Sequence, residues 1–194
     1  MKLGYFTFPI HPSDKNYFQC LMEDRQSVIL ADKLGFTEAF IGEHLTDSCE
    51  KITSCANFIS SLIFDTKKIK LATGTLNLPN SHPASIAGQV AMLDNMLKGR
   101  FIMGIGPGSL TSDMEVFDTL NKNRTEMFLE SIQHIFDIWN TDGPLDLKGK
   151  YWNISTKNTF DENLNLGILP KPYQNPHPEI VVTSLGSSQK ALES

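Results

Sequence analysis

No stretch of this chain approaches the ~20 consecutive apolar residues of a membrane-spanning helix. The N-terminal run, residues 1–8, is too short for a signal peptide and is closed by Pro9, so neither a membrane partner nor a secretory leader is expected. Basic charge is scarce: 17 Lys and Arg stand against 22 Asp and Glu, a formal net charge of −5. That leaves no excess to neutralise a phosphate backbone, and nucleic acid is not an expected partner. Cysteine is rare too. Cys20, Cys49 and Cys55 cannot pair completely and form no CxxC or Cys/His cluster with metal-ligand spacing, so they read as reduced thiols of a cytoplasmic protein without a metal site. Internal repeats, low-complexity tracts and Ser/Gly linkers are also missing, and one domain over residues 1–194 is the expectation.

What is present is an ordinary globular composition, 40% hydrophobic and 20% charged, arranged as strand and helix in turn. Residues 3–8 form a short apolar run. A helical pattern through Val28, Ile29, Ala31 and Leu34 follows and ends at Gly35. Residues 36–41 predict a second strand, 55–64 a helix and 69–76 a third strand. Pro83 opens the next helix, whose Ile86, Val90 and Leu93 share one face. Residues 100–105 predict a fourth strand, followed by a long amphipathic helix carrying Phe128, Ile132, Ile135, Phe136 and Trp139. A small hairpin over 145–147 and 151–154 interrupts the rhythm before a fifth strand at 179–183 and the start of a helix at 189–192. Five alternations demand parallel strands with right-handed crossovers, in an open doubly wound sheet or a (β/α)8 barrel. A complete barrel takes ~250 residues, so the chain is expected to be the N-terminal part of a longer barrel.

Both architectures gather function at the C-terminal ends of the strands. His44 beside Glu43 after strand two is the sharpest feature there, because a neutral imidazole can take a proton near pH 7 and the adjacent carboxylate can orient it. Gly104, Gly106 and Gly108 after strand four do not match a dinucleotide fingerprint: the spacing is GxGxG, and the loop runs on through Ser109, Leu110, Thr111 and Ser112 before any helix. Three glycines at a strand end instead allow a flat ligand to approach the backbone closely. His11, His82, His134 and His177 read as structural.

These residues carry a resemblance. Gly42-Glu43-His44-Leu45-Thr46, then Ala72-Thr73-Gly74-Thr75 with Leu78-Pro79 and His82-Pro83, then Gly99-Arg100-Phe101 with Gly104-Ile105-Gly106-Pro107-Gly108-Ser109 and Ser112-Asp113 stand at successive strand ends. Together they resemble the bacterial luciferase-like flavin monooxygenases, most of all the limonene monooxygenase-like group. The resemblance implies a TIM barrel of the luciferase-like type, with about the first five β/α units in this chain. It also implies reduced FMN at the C-terminal mouth, supplied by a separate flavin reductase, and use of O2 to oxygenate a small organic substrate. Position by position, His44 would be the active-site acid/base and Glu43 its neighbour in the flavin pocket. Gly74-Thr75 and Asn77 would lie where strand three bends under the ring, often through a non-proline cis peptide. Gly106, Pro107 and Gly108 would border the ring, and Thr183, Ser184 and Ser187 would lie where the family holds the phosphate.

The luciferases themselves carry a Cys-Arg pair where this chain has Gly106-Pro107, so light emission from aldehydes is not implied. Hydroxylation, epoxidation or Baeyer-Villiger insertion is. The alternatives are a deazaflavin-dependent hydride-transfer enzyme of the same barrel superfamily and a non-catalytic truncated barrel. Without its last three strands the barrel would leave strands one and five with unpaired edges, and such edges predict a homo-oligomer, an aggregate or a loosely packed species.

Overall fold

A computed structural model describes residues 2–183 of the chain. In order, its elements are β1 (Gly4–Thr7), α1 (Tyr17–Leu34), β2 (Glu38–Ile41), α2 (Cys55–Ser60), β3 (Lys70–Thr73), β4 (Leu76–Asn77), a 3-10 turn (Leu78–Asn80), α3 (Pro83–Leu97), β5 (Phe101–Gly106), α4 (Thr111–Val116), α5 (Arg124–Asn140), β6 (Asp146–Lys148), β7 (Asn153–Ser155) and β8 (Glu179–Val182). β1, β2, β3, β5 and β8 pair in that order, all parallel. Strand order therefore follows chain order without reversal. A doubly wound sheet would reverse direction at its first strand, so the arrangement is the barrel wall. β6 and β7 form a separate antiparallel hairpin.

One face of the sheet packs on the helices. Ala39, Ile41, Leu71, Phe101, Met103 and Ile105 point that way and meet Val28, Ile59, Ile86, Val90, Leu93 and Ile135 in one buried cluster. Alternation along the strands turns Phe6, Phe40 and Ile102 to the opposite face, where the Phe6 and Phe40 rings lie 6.5 Å apart.

Helix ends follow sequence signals. Asn16, Ser54 and Asn123 cap α1, α2 and α5 with side-chain oxygens, and Gly35 ends α1 at φ 85°. α2 is shorter than the periodicity of residues 55–64 predicts: Ser61 N–H turns back onto Phe58 O, Leu62 N–H onto Ile59 O, and residues 61–64 continue as turns. At the N-terminal ends of the strands, Asp32 accepts three backbone N–H groups, from Lys67, Lys68 and Ile69. Arg100 donates to Ile69 O at 2.8 Å and to the Ile63 and Thr66 carbonyls at 3.3 Å. Arg100 therefore braces the end of the sheet away from the strand tips.

The chain between α5 and β8 is fixed by a clasp. Fully buried Asp94 accepts the Gln174 backbone N–H and the Gln174 Nε2, each at 2.8 Å, while Nε2 also donates to Phe101 O at 3.0 Å. Immediately after it, the Asn175–Pro176 peptide is cis.

Strand three, read as residues 69–76 with a bend at Gly74-Thr75 implied by the resemblance, is split there. β3 pairs with β5 through Leu71 and Ala72, the chain turns at Gly74-Thr75, and β4 resumes the pairing at Ile105 and Gly106. The Gly74–Thr75 peptide is cis. The two strands come closest at Gly104, where a Cβ would lie 1.9 Å from the Thr73 carbonyl oxygen. Backbone cannot yield to that overlap. Gly104→Ala is expected to destabilise the fold by about 1–3 kcal/mol or more, read as a lower midpoint in urea denaturation.

Candidate active site

The site lies at the C-terminal ends of the parallel strands, in a cavity of about 370 Å³, within the ~300–1,000 Å³ typical of small-molecule sites. Phe6 and Phe8 from β1 and its following loop, Glu43 and His44 after β2, Gly74, Thr75 and Asn77 around β4, Pro107 and Gly108 after β5, and Thr183 after β8 all border it. Gly106 lies beneath: a Cβ there would sit 2.6 Å from Thr183 Oγ1 and 2.8 Å from Thr75 Oγ1. Nine of the predicted site residues thus gather at one place. Ser184 and Ser187 fall outside the described residues.

His44 is held from three sides. Its Nδ1 lies 2.7 Å from Glu50 Oε2, with both side chains largely buried. Its ring stacks on Phe8, centroids 5.4 Å apart and planes 14° from parallel, and its backbone N–H donates to Ile52 O at 3.2 Å. Gly42 admits the Phe8 ring, since a Cβ there would meet it at 2.1 Å. The carboxylate that orients His44 is therefore Glu50, not the adjacent Glu43. Glu43 borders the same cavity but turns its carboxylate to the start of α2. Glu50 reaches the imidazole from a loop that bridges Ile10, and no periodicity marks it.

Glu43 instead accepts the Cys55 backbone N–H at the start of α2, at 2.8 Å. Burial pushes its carboxyl above the ordinary 4.5, a rise that the Cys55 thiol and backbone N–H oppose and Asp113 reinforces. The Cys55 thiol, wholly buried beside it, is pushed up by burial and by that carboxyl.

Asp113 explains the Ser112-Asp113 pair of the sequence. It lies in the first turn of α4, which opens at Thr111, earlier than the long loop expected through Ser112. Its carboxylate accepts Leu45 N–H at 3.1 Å, Thr46 N–H at 2.9 Å and the Thr46 hydroxyl, and Ser112 Oγ lies 2.6 Å from Thr46 Oγ1. α4 thereby pins the segment that follows His44. The Gly106-Pro107-Gly108 turn is braced from α5 by Arg124, which donates to Pro107 O and to Asn80 Oδ1.

The remaining histidines have structural partners. His11 Nε2 meets Asp24 Oδ1 at 2.8 Å, His82 Nδ1 accepts Ala84 N–H at the start of α3, His134 is buried in α5, and His177 stacks on Phe136. Among the described residues no helix is long and apolar enough to cross a membrane, and no three His, Cys, Asp or Glu side chains group as metal ligands.

Known proteins resemble this chain in sequence and fold. The family model described as "Luciferase-like monooxygenase" matches residues 1–193. 4-Hydroxyprotoasukamycin monooxygenase of Streptomyces nodosus subsp. asukaensis is 30% identical over 145 residues, covering 75% of this chain and 39% of the relative. Limonene 1,2-monooxygenase of Rhodococcus erythropolis is 34% identical over 113 residues, 58% of this chain and 29% of the relative. The oxygenating constituent of 3,6-diketocamphane monooxygenase from Pseudomonas putida, a type II Baeyer-Villiger monooxygenase solved with FMN, superposes with TM-score 0.85 at 28% identity, over 96% of this chain and 52% of that one. The chain spans about half the length of that structure.

Two outcomes follow from the site's electrostatics. With Glu50 accepting from Nδ1–H, neutral His44 is expected as the Nδ1–H tautomer, and Glu50→Leu is expected to return it toward the Nε2–H form, read by long-range 1H–15N correlation spectra. A carboxyl raised in the fold binds more protons folded than unfolded. Glu43 therefore makes stability fall as pH rises from about 4.5 through its folded pKa. Glu43→Gln is expected to remove that part of the fall in denaturation midpoints measured across this range.

Proposed function

We propose a function from one premise: this chain belongs to the luciferase-like monooxygenase family. It carries the His44 side of the mouth of an FMN-dependent monooxygenase that uses reduced flavin and O2 to oxygenate a small organic substrate. A separate reductase supplies the reduced flavin. The observation that carries the reading is His44, fixed by Glu50 and Phe8 on the wall of a cavity floored by glycine.

The residues suit a planar ring with one polar edge. Gly74, Gly106 and Gly108 leave the backbone bare, Phe6, Phe8 and Pro107 supply apolar surface, and Thr75 Oγ1, Asn77 and Thr183 supply polar groups. FMN rather than a deazaflavin is supported by the FMN complex of the diketocamphane enzyme. When bound, reduced FMN supplies the electrons and the activation of O2. The protein's own part is proton handling and exclusion of water. With Nδ1 committed to Glu50, His44 keeps Nε2 free to hold or pass a proton. Glu43 shapes the inner wall. Thr183, with Ser184 and Ser187 beyond the described residues, is assigned to the phosphate. Baeyer-Villiger insertion, epoxidation and hydroxylation all lie within this chemistry.

Titration of the purified chain with FMN, oxidised and reduced, tests the reading. FMN is expected to bind, and Gly106→Val to abolish binding, because its side chain would overlap the Thr75 and Thr183 hydroxyls. In single-turnover oxygenation, His44→Asn is expected to lower the rate ~10²–10⁴-fold while FMN affinity holds. Binding of a deazaflavin in preference to FMN would overturn the assignment.

A further inference from the structure

Three cavities are linked through shared lining residues. The main cavity shares Glu43 and Asn77 with a second of about 200 Å³. The second shares Asn80, Ser81 and Phe117 with a third of about 250 Å³, which is bordered by the exposed Ser81, His82 and Lys122. The two ends differ in character. Phe6 and Phe8 make one wall of the mouth apolar, whereas the second cavity presents Thr53, Ser54, Asn77, Ser85, Gln89 and Asp113. Beside Leu45, Leu76, Ile86 and Phe117, these groups offer several polar partners to each water, in a volume with room for several at ~30 Å³ each.

Glu43 stands at the junction. Protein surrounds it, yet it keeps some accessible surface, and that surface borders the two cavities. We propose that the second and third cavities carry protons from solvent toward the active site, with the Glu43 carboxyl as the last relay. The proposal rests on the oxygenase reading for its purpose and on the cavities for its route. Reducing one atom of O2 to water takes two electrons and two protons; anionic reduced flavin supplies both electrons and one proton, and the other comes from solvent. Glu43 gives its proton to an acceptor in the main cavity, takes another from water in the second, and ends neutral as it began. Burial raises the pKa of this carboxyl and Asp113 adds to the rise. Asp113 itself is committed to Leu45 and Thr46 and holds the wall in place.

Infrared spectroscopy of the 194-residue chain tests this without flavin. At neutral pH a protonated-carboxyl band is expected in the native chain and absent from Glu43→Gln. On rapid mixing into D2O that band is expected to shift at once. The path can then be closed in protein that has already folded: Ser81→Cys in a Cys49→Ser background, labelled with a bulky aryl methanethiosulfonate, the other two cysteines being buried. The label is expected to slow the deuterium shift severalfold relative to the same unlabelled protein. An unchanged rate after labelling, or no Glu43-dependent acid band, would overturn the proposal. Because the assay holds no flavin, its failure leaves the FMN reading standing, and failure of FMN binding leaves this result standing.

Discussion

At Gly104 the backbones of β3 and β5 approach so closely that a single Cβ would lie 1.9 Å from the Thr73 carbonyl oxygen. The Thr73 hydroxyl seals the contact by donating to Gly104 O at 2.7 Å. Beyond this point the strands can no longer run side by side. β3 ends, the chain turns through Gly74-Thr75, and β4 rejoins β5 opposite Ile105 and Gly106. The space opened by that detour is the floor of the cavity, so the shape of the site is set by a backbone contact rather than by any side chain that lines it.

The wall is organised by hydrogen bonds that cross between elements. Glu50 and Phe8 hold His44 from two different loops, Asp113 ties the segment after it to α4, and Arg124 ties the turn after β5 to α5. Each is a long side chain anchoring a strand-end loop from a neighbouring element. The result is an imidazole on short loops with its ring fixed in both position and plane.

Periodicity revealed the order of strands and helices, because buried faces repeat at fixed intervals, and glycine with Asn and Ser marked where helices begin and end. The tips of the strands were legible because polar and glycine residues stand there against an otherwise apolar pattern: His44, Gly74, Thr75 and Gly106 all meet at one cavity. Glu50 was not legible. It lies in an irregular loop, and its partner is chosen by how that loop folds back over Ile10. For the same reason Glu43 looked like the partner of His44, since adjacency in sequence says nothing about side. Ser112-Asp113 stood out as a pattern, but its purpose emerged only once α4 was placed against Leu45 and Thr46. The break in strand three left no trace in hydrophobicity, because the residues on both sides of it remain buried.

The Asp94–Gln174 clasp separates two parts of the chain that obey different demands. Between α5 and β8 run more than thirty residues, including a hairpin that pairs only with itself. Leu145 and Ile154 are buried in the core, Glu130 of α5 accepts the backbone N–H groups of Lys150, Tyr151 and Trp152, and Gln174 is gripped by Asp94 of α3 and by the Phe101 carbonyl before β8 enters its register with β5. None of these residues borders the main cavity. A change of length between the ties is therefore taken up on the helix side of the sheet, away from the strand tips.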